Sequence, residues 1–310
     1  MRWRGRRIGI PCRARSTSCG QRDASGRRTL RCTRAQQAGA APYQGDFVAW
    51  SGGSAFLGQG GEGSIAPHAH YAIQLAIGAP SGLRVQFGRR SAWQACAAAL
   101  IPSRATHSID IGGCGFSAVL FVEPETAEGR ALGARLQGTP ECLDSATVAA
   151  SIARLEHAWR HEQTHAAVER ECRALLRELA GTAAPEPSDP RVLAAIEQIR
   201  QRLDHAPSLE EVARLASLSP SRFRHLFVAQ TGMPMRTYVL WRRLLHVWTL
   251  LMRGETLAGA AHAAGFADSA HLSRTARTMF GLAPSTMQMK GPLSARARER
   301  RPSEADAAAR

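Results

Sequence analysis

Two similar stretches in the C-terminal third of the chain determine how it folds. Residues 208–234 read SLEEVARLASLSPSRFRHLFVAQTGMP, and residues 256–285 read TLAGAAHAAGFADSAHLSRTARTMFGLAPS. Matching positions lie 48 residues apart at the start, 49 across the inner turn and 50 at the end. Each copy has the pattern of two short helices joined by a tight turn. Chance seldom repeats a pattern of this length, so the copies predict two related structural units.

The first copy contains signals that begin and separate its two helices. Ser208 followed by Glu211 is a capping box, which predicts the start of the first helix. Ser219 followed by Pro220 supplies an N-cap and a proline at the first position of the second helix. A helix-turn-helix has this form, and its second helix enters the major groove of DNA. The sequence therefore predicts two helix-turn-helix units in tandem.

In the first copy, the outward side of the second helix carries the candidate DNA contacts. Phe223, Leu226 and Phe227 share one face, which we expect to point inward. The opposite face, near the N-terminal end, is where such helices meet base edges. Arginine side chains there can pair with guanine through two hydrogen bonds. The candidates on this face are Ser221, Arg222, Arg224 and His225.

After the first copy come a long apolar helix and then a second recognition helix, which carries less charge. The linking helix is predicted from about Met235 to Arg253, about 18 residues or roughly 27 Å, which suits two recognition helices about one DNA turn apart. Asp268 is the expected N-cap of the second recognition helix. Because fewer charges face outward here, we expect this half to read less sequence. Its candidate contacts are Ser269, Ala270, His271, Ser273 and Arg274.

Charge and composition divide the chain into segments. Residues 43–189 carry eleven basic and fifteen acidic side chains, whereas residues 190–290 carry thirteen basic and six acidic ones. A near-neutral domain followed by a basic one fits a ligand or partner module joined to a nucleic-acid module. The seven cysteines include no Cys-x-x-Cys pair, which favours a reducing cytoplasm over a disulfide framework. No apolar run reaches 18 residues, so no membrane span is expected.

The same patterns predict the domain boundaries. An Arg-rich leader at 1–42 and a tail at 289–310 lack apolar periodicity, so we expect both to be disordered. The predicted domains are residues 43–181 and 191–288, and the Pro-rich stretch 182–190 is the expected linker. The fold class is therefore α+β.

Short strands and then helices fill the N-terminal domain. Strand-like runs separated by Gly, Pro and Ser argue for a sandwich or barrel. They read FVAW, SAFLG, YAIQLAIG, LRVQFG, SAWQACAAALIP, THSIDI and FSAVLFV. From Asp144 to Gly181 two amphipathic helices are predicted, whose apolar stripes either pack on the strands or join a second copy of the chain.

Polar side chains among these strands form a candidate effector pocket. His68 and His70 flank one residue, and alternation along a single strand would point both imidazoles to the same face. Gln74 and His107 complete the expected lining of a small-molecule pocket. We expect no metal in it, because a metal site needs a full ligand set; metal binding and catalysis are the open alternatives.

The C-terminal block resembles the AraC/XylS family of bacterial transcription regulators. The resemblance covers about residues 191–287 and rests on GFADSAHLSR at 265–274 and FGLAPS at 280–285. Two departures are Leu272 and Ala276, where the family usually has Phe. Because Ala276 lacks the aromatic ring that Phe would place in the core, we expect the side chain of Met279 or Trp248 to fill that space.

The strand region, residues 46–124, resembles the cupin-like sensing barrel that members of this family often carry. The cupin motifs are His-x-His followed by Glu, and Pro-x-Gly-x-x-His. Here Gln74 stands in place of the Glu and Arg104 in place of the Gly. Losing the carboxylate removes the anionic ligand of catalytic cupins, which weighs against a metal.

These observations favour a sequence-specific transcription regulator. The resemblance implies that a small-molecule effector in the barrel changes dimerisation or domain arrangement and thereby DNA binding. Expected partners are double-stranded DNA, a second copy of the chain and, for an activator, RNA polymerase. We expect no cofactor and no catalytic residue. The alternatives are a metal-dependent cupin enzyme with an appended DNA-binding module, and an architectural DNA binder without sensing.

Overall fold

A computed structural model describes residues 43–59, 64–181 and 188–289 of the chain. The predicted leader at 1–42 and most of the predicted tail lie outside the described residues. The described part contains strands followed by helices, so the α+β prediction is confirmed. None of its helices is long and apolar enough to cross a bilayer.

The strands form two sheets. The large sheet has the order β10-β7-β4-β9-β2-β1-β11, and the small sheet has the order β3-β8-β5-β6. Neighbouring strands are antiparallel, except that β11 pairs with β1 in parallel. The strands are β1 (Tyr43–Trp50), β2 (Gly53–Gln59), β3 (Ser64–His68), β4 (Ile73–Ala79), β5 (Leu83–Phe87), β6 (Gln94–Cys96), β7 (Ala98–Ile101), β8 (His107–Asp110), β9 (Phe116–Val122), β10 (Glu141–Leu143) and β11 (Met287–Met289).

Helices cover one face of the large sheet and continue beyond it. Three follow the strands, namely α1 (Ala127–Leu136), α2 (Ser145–His157) and α3 (His165–Ala180), with a π-helical turn at Ala158–Glu162. Six belong to the C-terminal part, namely α4 (Pro190–Gln201), α5 (Leu209–Leu215), α6 (Pro220–Thr231), α7 (Met235–Met252), α8 (Leu257–Ala263) and α9 (Ser269–Phe280).

Side-chain alternation gives the large sheet two faces with different partners. Ile73, Leu75 and Ile77 of β4 share one apolar core with α1, α2 and α3. The apolar stripes of α2 and α3 are thus buried within the chain, which settles the choice between packing and self-association for those stripes. The opposite face has two partners. Part of it, including Ala76 and Ala99, packs against the small sheet.

The remainder of that opposite face packs against the C-terminal helices. Phe56 of β2 and Phe121 of β9 share a core with Trp248 and Phe280. The rings of Phe56 and Trp248 meet edge to face at 5.1 Å between centroids. One continuous core therefore joins the C-terminal helices to the sheet, a contact that the sequence patterns do not predict.

The predicted tandem repeat is present in the structure. Helices α5 and α6 form the first unit, α8 and α9 the second, and the 18-residue α7 links them as predicted. Ser208, Ser219 and Asp268 each accept a backbone N–H as N-caps, and the capping box with Glu211 is complete. Gly232 ends α6 and Gly281 ends α9, both in the left-handed conformation.

Several elements differ from the predictions. Helix α1 was not predicted, because its two glycines weaken the helical pattern of the sequence. The run 91–102 was predicted as one strand but divides into β6 and β7, which belong to different sheets. The tail was predicted to begin at 289, yet Met289 pairs with Gly45 in β11. Backbone pairing with an existing sheet edge stabilises this last strand and leaves no signature in its residue pattern.

Candidate functional site

The first recognition helix presents its four candidate residues to solvent. Phe223 and Phe227 are fully buried, while Ser221, Arg222, Arg224 and His225 are exposed near the helix N-terminus. His225 is oriented by a hydrogen bond of its Nδ1 to the Ser221 carbonyl, 2.8 Å away. The helix therefore separates an apolar inner face from a polar, basic outer face, as DNA reading requires.

The second recognition helix has the same arrangement with less charge. Ser269, Ala270 and Arg274 are exposed, whereas His271 and Ser273 are half-buried. The His271 ring lies against Phe266, with 5.2 Å between ring centroids, and this contact fixes its position. Inside the helix Ala276 is fully buried, and Met279 and Trp248 are buried in the same core.

A cleft between the two units connects the two recognition helices. It has a volume of about 520 Å³ and opens toward both Arg224 of α6 and His271 of α9. Arg236 at the start of α7 also lines it and is exposed. Sequence reasoning missed Arg236, because it lies on the linking helix outside both repeats. Its position in the cleft makes it an additional candidate for a phosphate contact.

Arg243 joins the second helix-turn-helix unit to the segment just before the first unit. Its guanidinium donates to the carbonyl oxygens of Leu203, Asp204 and Gly265 at 2.8, 3.1 and 2.7 Å. The first two carbonyls precede the first unit, and Gly265 lies in the turn of the second. One planar fork thus joins the turn of the second unit to the segment that leads into the first unit.

The four predicted pocket residues are brought together at one end of the β-domain. His68, His70 and His107 are buried, and each offers a ring nitrogen within 4.8 Å of the others. Gln74 Oε1 lies 2.6 Å from His70 Nε2 and 3.2 Å from His107 Nε2. We call these four residues the histidine cluster.

The prediction that His68 and His70 lie on a single strand was wrong. His68 is the last residue of β3 in the small sheet, and His70 lies in the connection to β4 of the large sheet. The two imidazoles converge because the chain crosses between sheets at this point. The register of the small sheet brings in the third imidazole, because His68 pairs with His107 of β8.

Arg104 occupies its position without disturbing the turn. Its backbone has a φ of 67°, the left-handed conformation that usually favours glycine. Its N–H donates to the His70 carbonyl at 2.7 Å, so the turn still supports the histidine cluster. The departure from the Gly pattern therefore leaves the local geometry intact.

Burial keeps the three imidazoles neutral. Desolvation lowers the pKa of His68, lowers that of His70 to about 4, and lowers that of His107 to about 2. Neighbouring histidines add to the last two shifts, because a second positive charge nearby is unfavourable.

Side chains from the C-terminal helices form part of the wall of the histidine cluster. Trp241 of α7 lies with its ring centroid 6.2 Å from that of His70. Phe280 stacks on Trp241 at 5.2 Å and meets Phe121, whose ring contacts His70 at 5.0 Å. The cluster therefore lies where the β-domain meets the DNA-reading helices.

The described part of the chain resembles known regulators in sequence and fold. Residues 212–290 match the family model of a helix-turn-helix domain. The probable transcriptional regulator LumQ of Photobacterium leiognathi is 32% identical over 91 residues, 29% of this chain and 37% of that protein. The matched region thus spans little more than a third of this curated relative.

Solved structures extend the likeness to most of the chain. An apo structure of ToxT from Vibrio cholerae is 9% identical, with a TM-score of 0.50 over 74% of this chain and 95% of that one. An AraC-type transcriptional regulator from Chromobacterium violaceum is 23% identical over 36% of this chain and 95% of that one, with a TM-score of 0.30. Residues 212–290 of this chain therefore belong to a helix-turn-helix domain, and the β-domain with the helices behind it has the fold of the ToxT structure.

Proposed function

We propose that the protein is a sequence-specific DNA-binding transcription regulator that responds to a small-molecule effector. The observation that carries this proposal is the shared cleft of the two recognition helices. Arg224 and His271 open on it from different units, so one DNA segment can contact both. Arg222 and Arg274 add exposed positive charge on the same helices.

The roles divide between the units. In α6 the exposed Ser221, Arg222, Arg224 and His225 are positioned to read base edges. In α9 the contacts come from Ser269, Ala270, His271, Ser273 and Arg274, with a single guanidinium among them. This half fixes register along the duplex more than it selects bases.

The effector site of this proposal is the histidine cluster. His68, His70, Gln74 and His107 are polar groups converging in an otherwise apolar interior, which is the usual composition of a small-ligand site. Because Trp241 and Phe280 form part of its wall, a ligand there contacts both domains. A ligand shifts a conformational equilibrium only if it binds the two states differently, and a site between domains allows that.

A regulator accounts for this site better than an enzyme does. His68, His70 and His107 are 7%, 2% and 0% exposed, and aromatic side chains of the DNA-binding domain lie against them. A catalytic cupin needs repeated access of substrate and release of product. Access here would require the DNA-binding domain to move away at every turnover.

The proposal includes a homodimer and, for activation, contact with RNA polymerase in the cytoplasm. The apolar stripes of α2 and α3 are buried on the large sheet, so another surface must mediate dimerisation. Mass measurement of the full chain with and without operator DNA tests this part of the proposal.

The experiment for the main proposal is selection of bound duplexes from a random pool by the full chain. Titrations of the selected and of random DNA across salt then give the specificity ratio. Arg224→Ala is expected to relax sequence preference, whereas Arg90→Ala, the same loss of charge on an exposed β-domain loop, should leave it unchanged. Equal specificity of the Arg224→Ala variant and the unaltered chain would refute the assignment of α6.

A further inference from the structure

Two cysteines lie side by side where an edge strand of the small sheet meets an edge strand of the large sheet. Cys96 ends β6 and Cys142 is the middle residue of β10, and each of these strands is three residues long and lies at the outer end of its sheet. The backbone N–H of Ala97 donates to the carbonyl oxygen of Leu143 at 3.1 Å. This bond joins the residues that directly follow the two cysteines, so the strands are held together beside the thiols.

Side-chain alternation turns the polar groups of the two strands toward one another. Gln94 and Cys96 are two residues apart on β6, so their side chains lie on the same side of the strand. The Cys142 thiol donates to Gln94 Oε1, with 3.6 Å between sulfur and oxygen. On the same side, the Cys96 thiol is in hydrogen-bonding contact with the Cys142 sulfur. Both cysteines are free, so a pair of reduced thiols lies in contact here.

The two thiols differ in their access to solvent. Cys142 is exposed, whereas Cys96 is half-buried. Burial raises the pKa of Cys96 to about 12, and the hydrogen bond and negative charge of the neighbouring Cys142 add to this shift. Cys96 is therefore protonated at neutral pH, and the exposed Cys142 is the sulfur that a reagent from solution meets first.

From this geometry we infer that Cys96 and Cys142 form a reversible oxidation site, in which hydrogen peroxide converts the two thiols into an intramolecular disulfide. The site is independent of the DNA-reading function proposed above. A cytoplasm that keeps most thiols reduced is compatible with it, because disulfides there are usually transient and redox-sensing.

The reaction proceeds in two steps. The Cys142 thiolate attacks one peroxide oxygen, the O–O bond breaks, and a sulfenic acid and a first water form. The Cys96 sulfur then attacks the sulfenic sulfur, the S–O bond breaks, and the disulfide and a second water form. The two thiols together lose two electrons and two protons, which the peroxide takes up. A dithiol protein of the thioredoxin class reverses the reaction by thiol–disulfide exchange and is itself oxidised.

The structure favours the second step once the first has occurred. Conversion of the Cys142 thiolate into a neutral sulfenic acid removes the negative charge that contributes to the raised pKa of Cys96. The sulfur atoms must then approach to about 2.05 Å. Strands β6 and β10 can make this movement, because each is paired with only one neighbour in its own sheet. The new bond ties the edge of the small sheet to the edge of the large sheet.

The test uses the full chain, which is reduced, freed of reductant and treated with hydrogen peroxide. Remaining thiols are alkylated, and the monomer is isolated on a non-reducing gel. Trypsin then releases peptides 91–104 and 136–154, each of which contains one cysteine. We expect these peptides as one linked species, which separates on treatment with dithiothreitol. Separately alkylated peptides after peroxide, linkage of either peptide to another cysteine, or linkage found only in a disulfide-bonded dimer would overturn the site.

Three variants test the roles of the two sulfurs with dimedone, a reagent that traps sulfenic acids. Cys96→Ser should lose the link and accumulate the dimedone adduct on Cys142, whereas Cys142→Ser should lose the link and leave Cys96 unmodified. Cys114→Ser is the matched control and should form the link, because Cys114 is buried in the core of the small sheet, where its thiol donates to the Gly82 carbonyl. Equal dimedone adducts in Cys96→Ser and Cys142→Ser would overturn the assigned order of attack. A folding defect in a variant cannot produce the link expected in the unaltered chain.

Discussion

Arg242 of α7 donates its Nη1 to Oε1 of Glu123, the residue that follows β9, and this ion pair is almost completely removed from water. The two side chains are only 12% and 4% exposed. One turn earlier on α7, Tyr238 donates its hydroxyl to Glu125 Oε1 at 2.9 Å. The linking helix of the DNA-binding domain is thus attached to the β-domain by two buried polar contacts. This attachment makes the two domains one mechanical unit in the described state.

Removing the arginine of this pair should be strongly destabilising. Arg242→Met leaves the Glu123 carboxylate buried without its counterion, and loss of one partner of a buried pair costs about 3–5 kcal/mol. Urea unfolding of the full chain measures this change. The double variant Glu123→Gln/Arg242→Met should recover most of the loss, because no unpaired charge is left. A cost below about 1 kcal/mol for the single variant would mean that the pair is solvated.

Glu125 should make stability depend on pH. Burial and the nearby Glu123 raise its pKa from 4.5 to about 8, against the opposing effects of Tyr238 and Arg242. Its folded-state pKa lies above the unfolded value, so folding takes up a proton between these pH values. Its contribution is fully present below pH 4.5 and is lost as the pH rises through about 8.

The measurement is unfolding free energy from pH 6.5 to 8.5, above the range in which the buried histidines titrate. As the pH rises, ionisation of Glu125 should lower the free energy of unfolding by up to about 1.4 kcal/mol per pH unit, the slope for a difference of one bound proton. Glu125→Gln should remove this decline, while the surface variant Glu210→Gln should retain it. A decline that is the same in all three proteins would show that another group causes it.

Arg243 should be irreplaceable by lysine. Arg243→Lys keeps the charge but cannot reach three carbonyl oxygens with one planar group. The part-buried carbonyls of Leu203 and Gly265 cannot both keep their donor, which costs about 1–3 kcal/mol, and the contact between these two segments is weakened. Affinity for selected DNA should fall together with stability. Arg253→Lys, on an exposed residue at the end of α7, should change neither.

Two glycines with similar backbone conformations allow the cost of backbone strain to be distinguished from the cost of steric contact. Gly254 and Gly281 have φ values of 89° and 70°, so a Cβ strains both positions by about 1 kcal/mol. At Gly254 nothing lies within 4 Å of that Cβ, whereas at Gly281 it meets Ile65, Ala66 and His68 within 2.8 Å. Urea unfolding should show a clearly larger loss for Gly281→Ala than for Gly254→Ala. Equal losses would mean that α9 does not press on β3.

The sequence predicts those features that depend on local physical chemistry. Caps at Ser208, Ser219 and Asp268 follow from which side chains can accept a free N–H, and the repeat fixes the order of the helices. Apolar spacing along α6 separates buried Phe223 from exposed Arg224. These signals require no knowledge of distant residues.

Features that depend on tertiary contacts could not be predicted in the same way. Convergence of His68 and His70 was expected from one strand, but it arises from a crossing between sheets. Docking of α7 on the β-domain depends on Glu123 and Arg242, which are 119 residues apart and read separately as ordinary surface charges. Their pairing becomes visible only when burial of both is known.

The central claim is that the tandem unit reads DNA sequence through α6, and the specificity ratio tests it most directly. We predict that the full chain binds its selected duplex at least about 10³-fold more tightly than random DNA at physiological salt. Arg224→Ala should lose a large part of that ratio, and Arg90→Ala should keep it. A ratio near one for the unaltered chain would contradict the account.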